Sequence, residues 1–166
     1  MLQRLRTYFD LESVLEVDTP ALSAAAVSDT NIESLEVRSE LTDALLYLHT
    51  SPEFCMKRLL ASGYPDIYAI CRVYRDGEVG RSHQPEFTMV EWYRLGFDLA
   101  DIIADTLKAI ALALDDPKLA DDVLVVDYRN AFIDISNIDP LGASVSDLAA
   151  AADADDGCRG AGSTGP

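Results

Sequence analysis

Two alternating segments, residues 66–75 and 86–95, carry the clearest apolar–polar pattern in the chain. Both are rich in aromatic and β-branched residues, and both read as strands. The ten residues between them are polar and include Gly77 and Gly80, so the pair predicts a hairpin with a long loop. A loop of that length in a compact domain usually serves function. Residues 2–14 place Leu2, Leu5, Tyr8 and Phe9 at helical spacing with arginines on the other side, which predicts a short amphipathic helix. Residues 15–18 alternate and stop before Pro20, as a strand ended by proline does. Further strands are predicted at 32–37 and 45–49.

Helix signals fill the remainder. Ser51 reads as an N-cap, Pro52 as the first helical residue, and Glu53 as a complement to the helix dipole. That helix is predicted to run to about Ser62 and to end at Gly63. Residues 98–114 predict a helix with Leu99, Ile102, Ile103, Leu107 and Ile110 on its packed face. Residues 123–126 read as extended and 128–135 as helical. A weak Ala-rich helix is capped by Ser144 or Ser146 and fades near Asp153. The expected organisation is one domain over residues 1–152 and a disordered tail over 153–166, whose composition shows no apolar periodicity.

Composition narrows the classes of function. The formal net charge of −16 disfavours a surface that grips nucleic acid by itself, because phosphate binding needs a basic face. Residues 98–156 hold many aspartates and no glutamate, with Lys108, Lys118 and Arg129 as the bases, which reads as a solvated acidic surface. No apolar run approaches the ~20 residues of a bilayer span. Residues 1–6 lead into no apolar region of the kind a secretory signal has. Cys55, Cys71 and Cys158 match neither a zinc spacing nor a disulfide framework, so buried thiols in a reducing cytoplasm are expected.

The hairpin carries the candidate chemistry. An arginine at a strand end, Arg75, can fork onto two oxygens of an α-phosphate. Attack on that phosphorus builds charge on the same oxygens, so a preorganised guanidinium favours the transition state. Arg81 and His83 sit in the loop, within reach of further phosphates. Phe87 is placed to stack on a purine, or simply to pack in the core. Glu91 and Tyr93 share a face with Phe87 because strand side chains alternate, and a carboxylate beside a phenol suits an amino-acid ammonium. Trp92 points the other way, into the core. Glu53 could hold a second ammonium. Jointly these residues describe activation of a carboxylate by ATP with Mg2+, giving an acyl-adenylate and pyrophosphate.

Residues 72–93 resemble motif 2 of class II aminoacyl-tRNA synthetases. The match extends to Leu15–Pro20, to Thr50-Ser51-Pro52-Glu53 followed by Met56-Lys57-Arg58-Leu59, and to Ile138-Asp139-Pro140. Over residues 2–151 the chain is similar to the elongation factor P lysine ligases, the lysyl-tRNA synthetase-like GenX/PoxA family. The resemblance implies an α+β fold, a partial class II synthetase-like antiparallel sheet flanked by helices, and a homodimer through motif 1. It implies ATP contacts from Arg75, Asp76, Gly77, Glu78, Arg81, His83, Gln84 and Phe87, with Arg75 catalytic. Substrate contacts are implied for Ser51, Pro52, Glu53, Glu91 and Tyr93, with no metal-ligating residues. The implied reaction activates lysine or (R)-β-lysine with ATP and Mg2+ and transfers it to a lysine of elongation factor P in the cytoplasm, with no direct tRNA or membrane contact.

Two departures qualify that expectation. The family's Arg-Asn-Glu triplet reads Arg75-Asp76-Gly77 here, with Glu78 next. No Gly-x-Gly-x-x-Arg segment of the motif 3 kind occurs, so the chain reads as an N-terminal half with impaired activity. The other readings are a non-catalytic ATP-binding or dimerising remnant and a lysyl-tRNA synthetase fragment. An uncovered sheet edge and apolar surface are expected as well.

Overall fold

The structure, a computed structural model, describes residues 1–40, 43–77, 80–81, 83–121 and 123–159, with Asp121 and 153–159 by backbone only. Two compact units result, Met1–Asp122 and Val123–Pro166.

The first unit is built around the predicted hairpin. β5 (Ile67–Tyr74) and β6 (Glu86–Tyr93) pair antiparallel in eight registered couples, from Ile67 with Tyr93 to Tyr74 with Glu86. β1 (Leu15–Glu16) adds to the other edge of β5, completing the order β1-β5-β6. That short pairing is parallel, beside the antiparallel hairpin that the sequence predicts. A second, antiparallel sheet has the order β2-β4-β3, from β2 (Leu22–Ser23), β3 (Glu36–Ser39) and β4 (Ala44–Leu48). β3 starts later than the strand predicted at 32–37, because Glu33 makes only an isolated bridge to Asp76. Among the described residues no strand pairs with the outer edge of β6.

Alternation gives the hairpin two faces. On one, α1 (Leu2–Leu11) buries Leu5, Tyr8 and Phe9 against Tyr68, and α3 (Leu99–Leu114) adds Ala109 and Ala113. Phe9 is fully buried and stacks on Tyr68 at 4.4 Å between ring centroids. Complete burial of such a ring contributes about 1.5–3 kcal/mol. On the other face, α2 (Glu53–Ala61) packs Met56, with Leu59 and Leu60, over Ile67, Ala69 and Tyr93.

α3 corrects one expectation. Its packed face carries small residues, whereas Leu99, Ile103 and Ile110 are 75%, 41% and 43% exposed. Alanines let the helix approach α1 closely enough for Arg4 Nη1 to donate to the Ala113 carbonyl at 2.9 Å. Larger side chains on that face would hold the helices apart. The start of α3 is capped by Asp98, which accepts from Asp101 N at 2.9 Å in a reciprocal capping box.

α2 ends as its sequence predicts. Gly63 has φ +91°, its N–H donates to Leu60, and Tyr64 N–H donates back to Leu59. This double bond pattern requires the left-handed conformation that glycine adopts without strain.

A buried polar cluster, not foreseen from sequence, ties α1 and α3 to the hairpin. Asp105 is 5% exposed. It accepts from the Tyr8 hydroxyl and from Trp92 Nε1 at 3.0 Å, and pairs with Arg94 Nε at 3.5 Å. Arg94, its side chain 6% exposed, also reaches Glu12 and Asp66. Burial, together with the bond to Asp105, pushes the Tyr8 hydroxyl well above its ordinary pKa. Cys55 and Cys71 are free thiols and half-buried rather than buried, and the Cys158 side chain lies outside the described residues.

A short α4 (Lys118–Asp121) follows α3 in the first unit; in the second, α5 (Tyr128–Ser136) is capped by Asp127, and Arg129 forks onto Asp139. Residues 123–127 carry no regular structure. Ser144 caps α6 (Val145–Arg159), its Oγ accepting from Asp147 N at 3.3 Å. This helix continues past Asp153, where the sequence reading lets it fade. Residues 160–166 lie outside the described ones.

Removing the Asp105 carboxylate strands a phenol, an indole N–H and a buried guanidinium. Asp105→Ala is expected to cost about 3–5 kcal/mol in urea denaturation. Leu99→Ala, on the exposed stripe of α3, should stay within about 0.5 kcal/mol of wild type.

Candidate active site

The α2 side of the hairpin is covered at one end and open at the other. Val73, Cys71 and Ala69 on β5 lie opposite Phe87, Met89 and Glu91 on β6. Arg75 follows β5 with its N–H bonded to the Pro85 carbonyl at 2.9 Å, so it continues the ladder by one pair. At the N-terminal end of α2, Arg75, Met89 and Glu91 line a cleft of about 480 Å3. Thr50, Ser51, Glu53 and Phe54 form a second wall, and residues 27–29 with Ile32 a third.

Four residues singled out from sequence therefore meet in one cleft: Arg75, Ser51, Glu53 and Glu91. Phe87 and Tyr93 support them. The Arg75 guanidinium carbon lies 5.1 Å from the Phe87 ring centroid, which fixes the cation over an aromatic face. Tyr93 donates its hydroxyl to Glu91 Oε1 at 2.7 Å. Trp92 points to the opposite face, as alternation requires, and joins the Asp105 cluster.

Electrostatics distinguish the carboxylates. Burial pushes the Glu91 carboxyl up, and nearby Glu53 pushes the same way, while the Tyr93 hydrogen bond and Lys57 oppose the rise. Burial and Glu91 drive the Tyr93 phenol far above its ordinary value. The cleft therefore holds a carboxyl whose charged form a cationic partner would favour. Glu53 is half-buried and pairs with Lys57 one helical turn on.

The start of α2 is shifted by one residue from its expected frame. Pro52 occupies the cap position rather than the first helical turn, and Ser51 Oγ accepts from Glu53 N at 3.4 Å. Pro52 is fully buried and does not line the cleft; it anchors the wall behind Ser51 and Glu53.

The hairpin loop stays outside. Arg81, His83 and Gln84 are exposed and do not line the cleft. Gly80 N donates to the His83 carbonyl at 3.1 Å and His83 N to the Gly80 carbonyl at 3.3 Å. Gly80 and His83 thus satisfy each other's backbone locally. Asp76 and Gly77 are also exposed; Asp76 Oδ1 accepts from Gly77 N at 2.8 Å, and Gly77 takes φ +72°. Glu78 lies outside the described residues.

Sequence reasoning missed Asp29, Thr50 and Met89 as cleft residues. Met89 was legible, since it alternates with Phe87 and Glu91. Asp29 was not, because it lies in an irregular loop whose path only the fold supplies. Among the described residues no three metal-ligating side chains converge. No helix among them is long and apolar enough to cross a membrane.

Residues 1–139 match the family model for tRNA synthetases class II (D, K and N). Curated relatives include the elongation factor P--(R)-beta-lysine ligase of Pseudoalteromonas translucida, 41% identical over 152 residues, covering 89% of this chain and 46% of that protein. The ligases of the same name from Hamiltonella defensa and Vibrio atlanticus are each 40% identical, covering 92% of this chain and 47% of theirs. The chain thus spans about half the length of the curated relatives it matches.

Two substitutions test the carboxyl–phenol pair. Tyr93→Phe removes the bond that favours ionised Glu91, so the Glu91 carboxyl should titrate higher still, read by 13C NMR of the glutamate side chain. A carboxyl raised by folding contributes stability below its ordinary range and loses it as pH rises through its folded value. Glu91→Gln should therefore be more stable than wild type at pH 7, with the gap closing on acidification; an unchanged gap contradicts the assignment.

Proposed function

The chain belongs to the class II tRNA synthetase (D, K and N) family, and on that premise we propose that its cleft activates an amino acid with two ammonium groups, (R)-β-lysine or lysine, as an adenylate. The observation that carries this reading is the meeting of Arg75 with Glu53 and Glu91 in one cleft. A guanidinium suits the α-phosphate of ATP, and the carboxylates suit the ammoniums. The relatives' name supports (R)-β-lysine as the acid and elongation factor P as the acceptor.

Chemically, a carboxylate oxygen of the amino acid attacks the α-phosphorus. The new P–O bond forms as the bond to the β-phosphate bridging oxygen breaks, and pyrophosphate leaves. Arg75, held over Phe87, neutralises charge that grows on the non-bridging oxygens during attack. In the second step a lysine amine of elongation factor P attacks the acyl carbon and releases AMP. Glu53 and Glu91 orient the substrate through its ammoniums, and Tyr93 holds Glu91 in place. Mg2+ in this proposal arrives with ATP on its phosphate oxygens. Asp76, Gly77, Glu78, Arg81, His83 and Gln84 are proposed as nucleotide contacts made when the hairpin loop meets ATP. Residues 1–152 are proposed as the catalytic portion, working in the cytoplasm and pairing as a homodimer through α1 and β1.

In a second reading the chain binds ATP without turnover. A lysyl-tRNA synthetase fragment fits less well, since the curated relatives matched at about 40% identity are named as elongation factor P ligases.

Pyrophosphate exchange with labelled ATP and (R)-β-lysine separates these readings. Activation predicts exchange that Arg75→Ala lowers by about 10²–10³-fold, the loss typical of one removed charge-stabilising donor. Glu91→Gln should raise KM for the amino acid more than it lowers kcat, as loss of ground-state binding does. ATP affinity without exchange supports the binding-only reading, and neither affinity nor exchange rejects both.

A further inference from the structure

We infer that His49 is a positioning residue that clamps the two main walls of the cleft together; its catalytic consequence rests on the activation reading above. His49 is the residue after β4, in the second sheet, and Thr50, Ser51 and Glu53 follow it directly. Its main-chain carbonyl accepts from Tyr74 N at 3.0 Å. Its imidazole Nε2 lies 2.7 Å from the Arg72 carbonyl. A carbonyl can only accept, so Nε2 carries the proton and donates. One residue thus grips β5 twice, on either side of Val73.

The position of these grips matters more than their number. Arg75 is one residue beyond Tyr74, and the far side of Arg75 is held as well, since Asp76 N donates to the Glu33 carbonyl at 2.9 Å. Residues flanking the second sheet, His49 and Glu33, therefore reach the β5 segment at Arg72, Tyr74 and Asp76, with His49 supplying the first two contacts. The Thr50–Glu53 wall leads from β4 into α2 and the Arg75 wall extends β5, and among the described residues no strand ladder joins the two sheets. The spacing of the walls depends on this joint together with the packing of Met56 over Ile67 and Ala69, and His49 supplies a side-chain bond at the joint. The ring is held in place by its neighbours: Nδ1 is buried without a hydrogen-bond partner, and the Tyr74 ring lies 6.5 Å away. An imidazole kept with one nitrogen unsatisfied, on a main-chain carbonyl rather than in the cleft, marks a structural link between the walls.

The test compares side chains by reach. Glutamine can place an N–H near the position of Nε2, whereas asparagine is too short to bond the Arg72 carbonyl. Amide hydrogen exchange of Tyr74 and Asp76 reads the joint directly, with the Ala69 and Glu91 amides, which face each other across the ladder, as controls for global stability. His49→Asn, like His49→Ala, should speed Tyr74 and Asp76 exchange by at least about tenfold over the controls, and His49→Gln should restore protection. In pyrophosphate exchange, misplacement of reacting groups by about 1 Å costs on the order of 10²-fold. His49→Asn should accordingly lower kcat by about 10–100-fold with KM for ATP within threefold, and His49→Gln should recover most of it. If Tyr74 and Asp76 stay protected in His49→Asn, or if asparagine and glutamine behave alike, the clamp is rejected. A wild-type chain without exchange activity, but with amides that loosen as described, rejects the activation reading and keeps the clamp. Should His49→Ala fail to fold, the asparagine–glutamine pair still decides.

Discussion

Register in the β5–β6 ladder is the constraint on which the rest depends. Eight couples fix which side chains face α2 and the cleft and which face α1 and α3. A slip of one residue would send Glu91 and Met89 into the aromatic core and bring Trp92 out to the cleft. One polar device opposes that slip. Trp92 is bonded to Asp105, which also holds Tyr8 and Arg94, so the core face is specified by polar geometry as well as by apolar area. The Tyr93–Glu91 bond on the other face lies within β6 and travels with that strand.

Much of this was legible in the chain itself. The hairpin, the first two helices and the opposed directions of Glu91 and Trp92 follow from period-two and helical spacing, which are local signals. The convergence of Arg75, Glu53 and Glu91 was anticipated through family resemblance rather than through spacing, because the segments carrying them lie in separate elements. What failed was non-local. The buried face of α3 was assigned to its large aliphatics, yet close helix approach selected Ala109 and Ala113. Asp105 looked like one more surface aspartate in an acidic stretch, and only its partners on α1 and β6 make it a core residue.

The cleft also shows how one scaffold assigns different work to chemically similar groups. Glu53 sits at a helix start with a lysine one turn away, while Glu91 lies on a strand, half-buried and bonded to a phenol. The first is paired with Lys57 on its own helix; burial raises the second, and the Tyr93 bond opposes that rise. A dicationic ligand entering between them would meet one carboxylate near a lysine and one whose charged form its own arrival favours. Such a pair discriminates by charge more sharply than two exposed carboxylates, since the desolvated one gains most from the correct partner.

Helix α3 leaves Leu99, Ile103 and Ile110 facing water at the edge of a chain whose formal charge is −16. At neutral pH mutual repulsion of carboxylates keeps these stripes on separate molecules from meeting. Titration toward the isoelectric point, about 4.2, removes the repulsion and leaves the stripe untouched. Colloidal behaviour should therefore turn over with acidity well before the fold does, and high salt, which screens the same charges, should act in the same direction.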